Sequence, residues 1–147
     1  MGTRWAAFAE AAPSIASAAE ALFARYEVVV LATNARSGHP RLSLVEPVVM
    51  DGDLVIGATA GDAKSTDLQR DARCSLHCMV SHRAHDEAEV KSALTAVELT
   101  GDRLVAATGA LARPEISWQP TIAFALHVEH AALITRDAVT TWRHPGR

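Results

Sequence analysis

Apolar residues recur at Trp5, Phe8, Ile15, Leu22, Phe23 and Tyr26 on an alanine-rich background, spacings that follow one face of a helix. Residues 4–26 are therefore expected to be helical. Pro13 suits a first turn and not a helix interior, so it should end one short helix and open a second, with Thr3 and Ala12 as the two starts. At Val28 the pattern changes to a β-branched apolar run reaching Thr33, a strand, followed by the turn Arg36-Ser37-Gly38-His39-Pro40. A second strand is expected over residues 41–50, where Pro47 marks a bulge or an edge. Asp51-Gly52-Asp53 then predicts a tight antiparallel hairpin into residues 54–57.

A small-residue loop over 58–62 leads to a short helix at 64–70, a strand at 74–80, a charged loop at 82–89 and a strand at 90–99. Thr100-Gly101-Asp102 opens a helix with Leu104, Val105, Thr108 and Leu111 as its apolar side, closed by Pro114. Strands over 121–128, 132–135 and 139–143 complete the chain. Six or seven short antiparallel strands with small helices predict a mainly β fold with helices, a β-barrel with helical additions.

Length and charge narrow this picture. At 147 residues the chain is the size of one domain, with a helical segment over about 4–26 and a barrel over about 28–143. A composition 49% hydrophobic and 21% charged is that of a globular protein and excludes disorder. A net charge of −3, with no run of like charges, argues against nucleic acid. No apolar run approaches ~18 residues and no secretory leader is legible, so a soluble cytoplasmic protein without membrane contact is expected. Cys74 and Cys78, four apart on a strand, are ~13 Å apart and should be reduced core residues.

Two elements could carry chemistry. Arg41 and Ser43 share one strand face about 7 Å apart and could address one anion, while Leu42 and Leu44 take the other face. On these two residues alone the favoured reading is a solvated strand-end arginine at Arg41 and a filler at Ser43. The loop Gly57-Ala58-Thr59-Ala60-Gly61-Asp62-Ala63-Lys64-Ser65 feeds a helix N-terminus, which welcomes anions. Its spacing is not that of a nucleoside-triphosphate P-loop, and Asp62 or Ser65 could simply cap the helix. No His, Cys, Asp and Glu spacing supplies a recognised metal set, so His82, His85, His127 and His130 read as solvated or core histidines. His77 faces away from both cysteines, and no nucleophile elbow is present. Trp118, in a loop between Pro114 and Pro120, could wall a ligand pocket or pack over the barrel end.

Taken in order, five stretches resemble the FMN-binding split-barrel family related to pyridoxamine 5′-phosphate oxidase. They are Leu31-Ala32-Thr33, residues 38–47, Asp51-Gly52-Asp53-Leu54, residues 64–73, and Trp142-Arg143-His144-Pro145-Gly146. The resemblance implies a split barrel in which Arg41, Ser43, Lys64 and Ser65 hold the cofactor phosphate. It places Val45 and Glu46 near the flavin ring, Thr59 beside the ribityl chain and Trp118 on the pocket wall. It further implies an FMN-dependent oxidoreductase acting on an unidentified small molecule. Where relatives often place a second basic residue, two positions before the lysine, this chain has Asp62, which would repel a phosphate unless it caps the helix. The deazaflavin F420, a non-catalytic carrier or sensor, and a haem-binding split barrel are the alternatives. Pyridoxamine phosphate is disfavoured as substrate, because the Arg-Leu-x-Pro ending of the true oxidases is missing. A barrel of about 120 residues has too little material to enclose a flavin alone, so a homodimer with the cofactor site at its interface is expected.

Overall fold

The computed structural model describes residues 2–79 and 88–146. His82 and His85, with most of the expected charged loop, lie outside the described residues. The elements run α1 (Trp5–Ala11), α2 (Pro13–Tyr26), β1 (Val29–Asn34), β2 (Pro40–Val45), β3 (Val48–Met50), β4 (Asp53–Ala58), α3 (Ala63–Arg70), β5 (Arg73–Cys78), β6 (Glu89–Glu98), α4 (Gly101–Leu111), a 3-10 turn (Pro114–Ile116), β7 (Ile122–Ile134) and β8 (Val139–Arg143). The strands form one antiparallel sheet in the order β2-β1-β5-β6-β7-β4-β3, with β8 also paired to β7.

That order explains why the sheet curls. β2 and β3 are its opposite edges, yet only Glu46 and Pro47 separate them in sequence. The two edges must therefore meet without pairing, which makes a barrel split along one seam. Pro47 supplies the local reason, since a residue without an N–H cannot continue a ladder. The expected strand over 41–50 is thus two strands serving different edges. Asp51 and Gly52, at φ 51° and 78°, adopt the two left-handed conformations that an Asp-Gly hairpin turn requires.

The described strands number eight, against the expected six or seven; the division at Glu46-Pro47 adds one to the segments read from the chain. Conversely, the expected strands at 121–128 and 132–135 are one strand of 13 residues, β7. A register shift opposite Glu129, between Ala93 and Leu94, lets that strand bend instead of breaking. Thr3 does not start the first helix; it pairs with Val128, and α1 begins at Trp5. Val105, expected on the apolar side of α4, is 71% exposed, and the helix buries Ala107 and Leu111 instead.

Two apolar layers fix the frame. Inside the curled sheet, α1 and α2 pack Trp5, Phe8, Ile15 and Leu22 against Leu31, Leu54, Ile56, Leu76, Phe124 and Val128. Outside it, Ala107 and Leu111 of α4, with Leu99 just before the helix, cover Val55, Ala123 and Ala125. β7 is buried over 122–126 because helices cover both of its faces there, so its sequence is a continuous apolar run without alternation.

Candidate functional site

The seam of the barrel opens into a cleft of about 310 Å³ lined by Val45 and Glu46 at the end of β2, Gly57 on β4, Lys64 on α3, and Leu111, Arg113 and Trp118 on the far side. Four of the eight residues expected at a cofactor site, Val45, Glu46, Lys64 and Trp118, thus line one cavity. Trp118 is positioned by a tight loop: its N–H and carbonyl exchange hydrogen bonds with Arg113, and Pro114–Ile116 makes a 3-10 turn between them. Arg113 in turn forms an ion pair with Glu46, tying this loop to the seam. Phe124 is fully buried and Trp142 packs on Phe8 at 5.0 Å, so neither is the cleft's aromatic wall; Trp118 is.

Arg113 and Leu111 were not among the expected site residues, and Gly57 entered only as the start of the loop before α3. Gly57 carried a signal, since a glycine inside a strand marks close approach of another group. A Cβ there would meet Pro120 Cβ at 2.7 Å and Leu111 Cδ1 at 3.1 Å. For Arg113 the sequence offered only a position before a proline.

The expected phosphate end has a different character. Arg41 and Ser43 do share a face, as the alternation predicts, and that face turns toward α3. Arg41 Nε donates to Asp67 Oδ2 at 2.7 Å; the same carboxylate accepts from Thr33 Oγ1 at 2.9 Å and, through Oδ1, from Arg70 at 3.4 Å. Burial opposes ionisation of Asp67, but the Arg41 and Thr33 hydrogen bonds outweigh it and hold its pKa below the ordinary value. At the helix mouth Asp62 Oδ1 accepts the Ser65 N–H at 2.8 Å, and Oδ2 pairs with Lys64 Nζ at 2.6 Å. Asp62 is therefore the helix cap, and it too is held below its usual pKa, burial being outweighed chiefly by Lys64 and Ser65. The Ser65 hydroxyl is buried, within hydrogen-bonding distance of the carbonyls of Thr59 and Asp62. Thr59 is exposed, and its N–H points at Asp62 Oδ2 from 3.4 Å. Of the residues implied for the phosphate, Arg41 and Lys64 each already carry a carboxylate partner and the Ser65 hydroxyl lies against backbone carbonyls, a poor fit to a further anion.

The outer face of the sheet beside the cleft is apolar and open. Register places Leu44, Val30, His77 and Lys91 in one row across β2, β1, β5 and β6, and Leu42, Ala32, Ser75, Ala93 and His130 in the next. Leu42 and Leu44 are 70% and 65% exposed, and the groove over this face measures about 330 Å³.

Elsewhere, Asp53 is buried beneath Arg4, which donates to its two oxygens at 2.8 and 3.0 Å, and Arg103. Cys74 and Cys78 are free and buried, and burial pushes both thiols up to about 12. Among the described residues no three His, Cys, Asp or Glu side chains converge on a metal position. No described helix is long and apolar enough to cross a membrane.

No family model matches the chain, and no curated protein matches it by sequence. Solved structures do. A general stress protein 26-related protein of the pyridoxinephosphate oxidase family from Clostridium acetobutylicum superposes with a TM-score of 0.65 at 13% identity, over 84% of this chain and 90% of that one. A haem-binding protein from Mycobacterium smegmatis gives 0.67 at 23% identity, over 86% of this chain and 57% of that one. HutZ, the haem storage protein from Vibrio cholerae, gives 0.63 at 14% identity, over 84% and 93%. With a curled antiparallel sheet split at Glu46-Pro47 and these neighbours, the chain has the split-barrel fold of the pyridoxine phosphate oxidase-like and general stress protein 26 proteins.

Proposed function

We propose that this chain binds a flavin ring in the seam cleft and serves as a flavin-dependent oxidoreductase toward a small molecule, working as a two-fold dimer. The observation that carries the reading is the cleft itself, where Val45, Leu111 and Trp118 offer apolar walls and the Glu46–Arg113 pair a polar rim. Such a cavity, mostly apolar with a few placed polar groups, suits a flat heteroaromatic ring. A bound isoalloxazine supplies hydride or electron transfer; the protein's own residues seat and orient it. In support, one structural neighbour is described as pyridoxinephosphate oxidase family.

The dimer follows from the outer face. Leu44 lines the cleft while Leu42, two residues along the same strand face, lines the apolar groove. A second copy covering Leu42 and Leu44 would thus also cover the open side of the cleft. The two rows carry one charged residue, Lys91, aside from the titratable histidines, which favours an apolar, self-complementary contact over a charged partner. Replacing both Leu42 and Leu44 with Glu should convert the dimer to a monomer in light scattering; a wild type that is already monomeric at micromolar concentration refutes the dimer.

A haem-binding protein is the second reading, favoured by His130 in the apolar groove and by the neighbours described as haem proteins; His77 beside it has both ring nitrogens engaged, by the Cys78 carbonyl and Glu89. It requires the groove to be open to haem. One absorption spectrum of the purified protein, with titration of riboflavin, FMN, F420 and haemin, separates the two. Flavin bands that bleach with dithionite and weaken in Trp118→Ala support the first. A Soret band favours the second, and a colourless protein that refuses every added cofactor defeats both.

A further inference from the structure

We propose that the cleft selects a phosphate-free isoalloxazine, such as riboflavin, over its 5′-phosphate, because the protein's own carboxylates already occupy the anion positions at the mouth of α3 and beside Arg41. The proposal rests on the flavin-ring reading above and names which flavin that site takes.

Several donors that a phosphate would need have a partner within the chain: the Ser65 N–H and hydroxyl, one Lys64 N–H and Arg41 Nε. Asp62 takes the Ser65 backbone N–H with one oxygen and the Lys64 ammonium with the other, at 2.8 and 2.6 Å. It stands where an anion at a helix N-terminus would stand. Ser65 Oγ, fully buried, lies 3.2 and 3.1 Å from two backbone carbonyls, so its single proton is directed inward to an acceptor of the protein. Arg41 is held by Asp67, a carboxylate only 4% exposed that also takes Thr33 and Arg70. Arg70 has a further bond to the Asn34 carbonyl.

Charge leads to the same conclusion. Arg41, Lys64 and Arg70 bring three positive charges against the two negative charges of Asp62 and Asp67. A phosphate monoester carrying about −1.5 to −2 would exceed the remaining charge and would also have to evict Asp62 from its cap. Eviction leaves a carboxylate beside the phosphate, and like charges at contact distance are repulsive. A neutral ribityl chain meets none of these costs, since hydroxyls can hydrogen-bond to Asp62 as it stands.

The experiment is a pair of calorimetric titrations, riboflavin and FMN, into cofactor-stripped wild type and into Asp62→Asn. Asparagine preserves the cap and removes the charge. Wild type is expected to bind riboflavin at least as tightly as FMN. In Asp62→Asn, FMN affinity should rise by about tenfold or more while riboflavin affinity stays within about twofold. Wild type binding FMN about tenfold more tightly than riboflavin overturns the selectivity and leaves the flavin reading intact. An Asp62→Asn protein whose two affinities both stay at wild-type values likewise overturns the role of Asp62. If neither flavin binds either protein, while both keep the same cooperative thermal melt, the flavin reading itself fails and takes this proposal with it.

Discussion

Two buried aspartates organise two ends of the molecule, and they do so differently. Asp53 starts β4 and is gripped by Arg4, from the segment before α1, and by Arg103 on α4; Arg4 also reaches the Asp51 carbonyl at 2.7 Å. Asp67 sits on α3 and holds Arg41 of β2, Thr33 of β1 and Arg70 of its own helix. The first network joins three distant pieces of chain through guanidinium groups that are otherwise about half exposed. The second adds a hydroxyl to its ion pairs, so its carboxylate keeps a hydrogen bond from Thr33 whichever arginine is lost. The difference teaches that an arginine on an anion-ready strand face can already be held by a buried carboxylate opposite it, as Arg41 Nε is by Asp67.

The largest effect should come from stripping the hairpin network. Arg4→Ala with Arg103→Ala leaves Asp53 with only His127, at 3.9 Å, and should cost about 3 kcal/mol or more in urea unfolding, the typical consequence of an uncompensated buried charge. Arg41→Ala should cost only about 1 kcal/mol, because Thr33 and Arg70 still satisfy Asp67. Equal losses would erase the distinction drawn between the two networks.

Acid should separate them next. Both aspartates have folded-state pKa values below the ordinary carboxylate value of 3.8; burial opposes this in each case, and the arginine contacts prevail. Their stabilisation is therefore fully present above about pH 4 and lost as the pH falls through the folded values. The hairpin end has an additional sensitivity. Burial lowers the pKa of His127 from 6.5, with Asp53 opposing and Arg4 and Arg103 assisting. The unfolded chain then takes up this proton first, so stability should begin to fall as the pH drops below about 6.5. His127→Gln should flatten the part of the stability profile that begins to fall below about pH 6.5 and leave the loss below about pH 4 in place, read from thermal melts at a series of pH values.

The smallest effect belongs to the α3 mouth. Asn caps a helix about as well as Asp, so Asp62→Asn without ligand should change stability by no more than about 0.5 kcal/mol. A much larger loss would make the Asp62–Lys64 pair part of the structural frame, like the Asp53 network.

Much of the barrel is legible along the chain because its signals are local. Asp51-Gly52 requires two positive φ values and gets them; Pro13 opens α2; alternation along 41–45 correctly separates Arg41, Ser43 and Val45 from Leu42 and Leu44. Errors fell where long-range contacts override local pattern. β7 is buried on both sides over residues 122–126, so periodicity could not show that it runs unbroken past Glu129. Val105 has the right spacing for a buried face, yet α4 rolls to set Ala107 and Leu111 against β4 and β7.

At the candidate site the same division holds. The sequence by itself determined the hairpin, a short helix over about 64–70, the shared face of Arg41 and Ser43, and Asp62 as a competitor for an anion, since each depends on residues a few positions apart. Only the tertiary structure decided that Val45 and Glu46 face Arg113 and Trp118 across the seam, and that Arg41 is claimed by Asp67. Those pairings join residues 26 and 67 positions apart, held together by a sheet whose closure is a property of its strand order and not of any single segment.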